Sequence, residues 1–120
     1  MLLKLARQGL GRIIMAIDHL TRSAQKTRSP DEQASVNEAA RHLTLYQFTA
    51  CPFCIMVRRA MHHLNVPIEL RDAQTSPHRE DLINQGGKLQ TPCLRIDDNG
   101  QTTWLYESRD IIAYLEERFG

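Results

Sequence analysis

Cys51-Pro52-Phe53-Cys54 stands between two runs of opposite periodicity, and that junction limits what the chain can build. Leu43-Thr44-Leu45-Tyr46-Gln47-Phe48 before it is rich in strand formers, whereas Ile55, Met56, Ala60, Met61 and Leu64 after it recur at helical spacing. The two thiols therefore sit where a strand hands over to a helix, one helical turn apart. The first turn of a helix carries unpaired backbone N–H groups and the positive end of the helix dipole, and both stabilise an anion. Thiolate is the reacting form of cysteine, and cysteines at helix starts fall from about 8.5 to roughly 3.5–7.5. Cys51, at the N-cap, is thus expected to be the more acidic thiol and the nucleophile. Pro52 suits the first helical position, where its missing N–H costs nothing. Cys54, three residues on, faces the same side and can attack a mixed disulfide formed at Cys51.

The same spacing also serves zinc sites, but a structural zinc needs four protein ligands. Cys93 is the one remaining thiol, and the histidines at 19, 42, 62, 63 and 78 form neither a second C-x-x-C nor an H-x-x-x-H pairing, so no metal is expected. A purely structural disulfide is disfavoured because so short a loop restricts the unfolded chain little. Few cysteines and no convincing secretory signal place the chain among reductants, and a cytoplasmic location is expected.

A length of 120 residues suits one domain with a core. Charge is uneven along it. Before Pro30 stand Lys4, Arg7, Arg12, Arg22, Lys26 and Arg28 against Asp18 alone, while the remainder is mildly acidic. Residues 1–29 read as a basic leader, with apolar residues at 2, 3, 6, 10, 13, 14, 17 and 20 forming one face of an amphipathic helix. Arg7, Arg12 and Asp18 interrupt any continuous apolar span. Residues 1–22 are expected to lie peripherally on a membrane surface, with packing on the domain and organelle targeting as the rival readings. Ser29-Pro30-Asp31-Glu32 is a capping box opening a short polar helix, so 30–42 read as a solvated connector.

From Leu43 onward the order is strand, helix, then a second strand at Ile68–Asp72 after Asn65 and Pro67 end the helix. Ser76-Pro77 opens another helix, which stops at Gly86-Gly87. Pro92 to Asp97 and Thr102 to Tyr106 form a hairpin around Asp98-Asn99-Gly100, and Ser108 caps a last helix bearing Ile111, Ile112, Tyr114, Leu115 and Phe119.

This order, with C-P-F-C at the first strand-to-helix turn, resembles a glutaredoxin of the thioredoxin superfamily from about Leu43 to Phe119. The resemblance implies an α/β, thioredoxin-like βαβ-α-ββα domain over 43–120 with a four-stranded mixed sheet, preceded by an N-terminal helical extension. Gln90-Thr91-Pro92 matches the family's cis-proline loop, which implies that Thr91 offers its backbone to the cysteinyl part of glutathione beside Pro92. Tyr106-Glu107-Ser108 resembles instead the E-S motif of the glutathione-transferase N-terminal domain. There Glu107 would pair with the γ-glutamyl ammonium, while Ser108 and the helix N-terminus take the carboxylate. A complete transferase needs a further helical domain, and with nothing after Gly120 transferase activity is not expected. Phe48 stands where many glutaredoxins carry a lysine near the glycyl carboxylate of glutathione; Lys88 is the candidate for that contact, and Arg58 and Arg59 read as surface cations. Cys93 reads as a buried strand residue, with an additional redox thiol as the alternative.

The resemblance implies a glutathione-dependent thiol-disulfide oxidoreductase acting on protein disulfides or protein-glutathione mixed disulfides. Its partners would be glutathione and disulfide-containing or glutathionylated proteins, with no nucleic acid. The rival from another class is a glutathione-binding or [2Fe-2S]-carrying module, membrane-linked through the leader, without turnover.

Overall fold

The computed structural model describes residues 25–120, so the leader helix and membrane contact expected of residues 1–22 lie outside the described residues. The elements run α1 (Pro30–Ala40), β1 (Leu43–Gln47), α2 (Pro52–Leu64), β2 (Glu69–Asp72), α3 (His78–Asp81), a π turn (Leu82–Gly86), β3 (Cys93–Asp98), β4 (Gln101–Tyr106) and α4 (Ser108–Phe119). The sheet order is β2-β1-β3-β4, with β1 parallel to β2, β1 antiparallel to β3 and β3 antiparallel to β4. A parallel pair needs a long crossover, and α2 supplies it. The result is the mixed four-stranded α/β sheet of a thioredoxin-like fold.

β1 is buried along its whole length because side chains of a strand alternate between two faces and both are covered here. On one face Leu43 and Leu45 join Leu94 beneath Val57, Met61 and Leu64 of α2 and Ile111, Leu115 and Phe119 of α4. On the other, Tyr46 packs with Ala73, Leu82 and Cys93. α2 ends at Asn65, held left-handed at φ 56°, where an asparagine is tolerated and Val66 N–H reaches back to Met61 O at 3.1 Å. The β3–β4 hairpin turns on Asn99 and Gly100, both with positive φ, as its two-residue tip requires.

α1 opens as its capping box dictates, with Ser29 Oγ accepting from Glu32 N–H at 3.2 Å. It is less solvated than its polar sequence suggests, since Val36 and Ala39 pack on the core and Ala40 is buried. Small apolar residues on the last turns suffice for docking while the rest of the helix stays wet. The segment before it is tied down too. Lys26 N–H donates to His63 O at 2.8 Å, and Arg28 Nη2 donates to Phe119 O at 2.7 Å. Arg28 thereby satisfies carbonyls that the end of a helix leaves unpaired.

Two helix starts differ from the sequence expectation. Ser76 does not cap α3; its hydroxyl donates to Glu80 Oε1 at 2.7 Å, and the helix begins at His78 behind a cis Ser76–Pro77 bond. Ser108 is the first residue inside α4, and Glu107 holds the cap position at φ 74°, ψ 119°. Local composition favours serine as a cap, but the path from β4 into α4 places the turn one residue earlier.

Candidate functional site

Cys51 occupies the N-cap of α2 with extended backbone (φ −73°, ψ 124°), Pro52 opens the helix, and the Cys51 sulfur makes no capping bond. Cys51 is half-buried, whereas Cys54 is buried completely. This follows from helical geometry, because Cys54 belongs to the inward stripe that also carries Val57, Met61 and Leu64. Burial pushes the Cys54 thiol up to about 11. Phe48 N–H, which donates to Cys54 Sγ at 3.5 Å, and the Thr91 side chain pull the other way, while neighbouring Cys51 adds to the rise. All three cysteines are free thiols.

The loop carrying Thr91 comes from the start of β3, which pairs with β1 and so brings position 91 beside the thiols that follow β1. The Thr91–Pro92 bond is cis and Pro92 is buried. Glu107 is exposed at the start of α4, and Gln90 Nε2 donates to its Oε1 at 3.1 Å. Cys54 therefore meets both Cys51 and Thr91, and Glu107 is linked by Gln90 to the residue preceding Thr91.

A match to the sequence family described as the glutathione S-transferase N-terminal domain covers residues 45–120. The chain belongs to that family. Among solved structures, a wheat glutaredoxin is 20% identical with a TM-score of 0.48, over 76% of this chain and 87% of that one. Oxidized glutaredoxin 2 from Chlamydomonas reinhardtii is 17% identical with a TM-score of 0.48, over 74% of this chain and 86% of that one. No curated protein matches.

Within this transferase-type domain, the other residues weighed in the sequence take defined places. Phe48 packs against the Tyr46, Leu82 and Cys93 cluster, together with Trp104 and Tyr106. Lys88 Nζ lies 4.6 Å from the centre of the Tyr106 ring. Cys93 is fully buried and its thiol is pushed up to about 11 by that burial, as a packed strand residue should be. Arg58 is more than a surface cation. Its Nη1 donates to Gln47 Oε1 and its Nη2 to Thr49 O at 2.8 Å, so it grips the segment leading into Cys51. Tyr106 was not singled out by sequence; its hydroxyl donates to Lys88 O at 3.0 Å and tethers the approach to Thr91. In the sequence Tyr106 stands only as the strand residue before Glu107, with no role of its own, whereas the spacing of Arg58 one turn after Cys54 is legible there.

Proposed function

We propose that the chain is a glutathione-dependent thiol-disulfide oxidoreductase acting on protein disulfides or protein-glutathione mixed disulfides. The observation that carries this reading is the unequal exposure of the pair: an accessible Cys51 at a helix N-terminus, backed by a buried Cys54 in contact with Thr91 and Phe48. Cys51 as thiolate attacks one sulfur of the substrate disulfide, and the other sulfur departs as a thiolate that takes up a proton. The mixed disulfide at Cys51 is then broken by Cys54, which forms the Cys51–Cys54 disulfide, or by glutathione. Two molecules of glutathione restore the dithiol and leave as glutathione disulfide.

Thr91, Pro92, Glu107 and Ser108 form the glutathione side of this reading. Main-chain pairing at Thr91 would hold the cysteinyl unit, Glu107 the ammonium, and Ser108 with the α4 N-terminus the γ-glutamyl carboxylate. Phe53 is 59% exposed and Met56 50% exposed, so apolar surface beside Cys51 is available to a protein substrate. The test is glutathione-coupled reduction of a small mixed disulfide and of a protein disulfide. Cys51→Ser should abolish both, and Cys54→Ser should spare the first and lose the second. Unchanged turnover in Cys51→Ser refutes the assignment.

A further inference from the structure

We infer that Arg58 is a positioning residue for the dithiol, and that its guanidinium sets the balance between the Cys51, Cys54 dithiol and their disulfide. This rests on the redox reading above and adds the device that regulates it.

The geometry centres on Phe48, whose backbone touches both cysteines. Its N–H donates to Cys54 Sγ at 3.5 Å, and its carbonyl accepts from Cys51 N–H at 3.2 Å. Arg58 holds the residues on either side of it. Nη1 bonds the side-chain carbonyl of Gln47, the last residue of β1, and Nη2 bonds the main-chain carbonyl of Thr49 at 2.8 Å. Gln47 is 7% exposed and is itself fixed, since its own main-chain carbonyl accepts from Ala73 N–H at 3.0 Å. One end of the fork is therefore anchored in the sheet, while the other holds the turn that follows β1. Arg58 lies one helical turn after Cys54, so the guanidinium reaches back along α2 to the same loop.

A planar guanidinium presents donors at fixed separation, and two acceptors on opposite sides of one residue use that fork. Lysine keeps the charge but is a point donor that cannot hold both acceptors in one geometry. The Phe48 N–H bond favours the reduced form, because a thiol or thiolate sulfur is the better acceptor and a disulfide sulfur the poorer one. On oxidation by glutathione disulfide, Cys51 and Cys54 lose two protons and two electrons and form their S–S bond, and the oxidant leaves as two glutathione thiols. Loosening Phe48 weakens the reduced side of that equilibrium.

The experiment equilibrates reduced protein over a series of glutathione to glutathione-disulfide ratios, quenches in acid, and counts free thiols by alkylation and mass spectrometry. Arg58→Lys should move the midpoint toward the disulfide by about three- to tenfold, the scale of one hydrogen bond. Gln47→Leu, which removes the sheet anchor and leaves Arg58 in place, should move it the same way. Melting curves on the same samples establish that each variant is folded at the working temperature, and the two variants guard against failure of either. Midpoints equal to wild type in both variants overturn the inference. A wild-type protein that forms no Cys51–Cys54 disulfide at any ratio overturns the dithiol reading itself, which separates the two failures.

Discussion

The difference between the two thiols of the motif can be measured directly. Burial places Cys54 at about 11, so at pH 7 only about one molecule in ten thousand carries its thiolate. A free cysteine near 8.5 carries roughly 3%, about 300-fold more. The more basic thiolate is intrinsically more nucleophilic, with a Brønsted slope near 0.4–0.5, which returns about tenfold over that gap. Protonation alone therefore slows alkylation of Cys54 by about 30-fold relative to a free cysteine, and complete burial slows it further. A brief pulse of iodoacetamide on reduced protein, followed by peptide mapping, should label Cys51 well before Cys54. The Cys54 rate should climb close to tenfold per pH unit up to about 11. Labelling of Cys54 as fast as Cys51 at pH 7, or a Cys54 rate that levels off by pH 9, refutes the reasoning.

Arg28→Met removes the cation on the Phe119 carbonyl, with the contacts to Asn65 O and Gln33 Oε1, and should cost about 2 kcal/mol in a urea titration. Gly86→Ala should lower the melting temperature by an amount equivalent to about 1–3 kcal/mol, because a Cβ there would meet Tyr106 Oη at 2.6 Å and Trp104 Cε3 at 3.1 Å. Alkaline stability has a defined sign. Cys93 is held up at about 11 when folded, so the stability it contributes is complete below its unfolded value near 8.5 and is lost as pH rises through about 11. Cys93→Ala should accordingly lose less stability between pH 8 and 10.5 than wild type, by about 2 kcal/mol in urea titrations, and an equal loss would count against the buried-thiol account.

The strands and helices around the motif were legible because each was written in local terms. A run of strand-forming residues marked β1, an apolar stripe marked α2, Asn65 ended it, and Asn99-Gly100 announced the hairpin. What was not legible depended on partners distant in sequence. Arg58 looked like a surface cation until the β1 end and the following turn came within reach of it. The polar stretch 30–42 hid a docked helix, because Val36, Ala39 and Ala40 are too few to give a clear periodic signal. The cap of α4 moved from Ser108 to Glu107 because the entry direction of β4, not residue preference, set the turn.

By itself, then, the sequence determined that two thiols share one helical turn at a strand-to-helix junction, since spacing and propensity are properties of neighbours in the chain. Only the tertiary structure decided which thiol is accessible and which is buried, and which carbonyls Arg58 and Arg28 serve. It also decided that Thr91, some 40 residues downstream, reaches Cys54, because β3 pairs with β1. Burial and hydrogen bonding arise between segments, and no local pattern encodes the segment that will arrive.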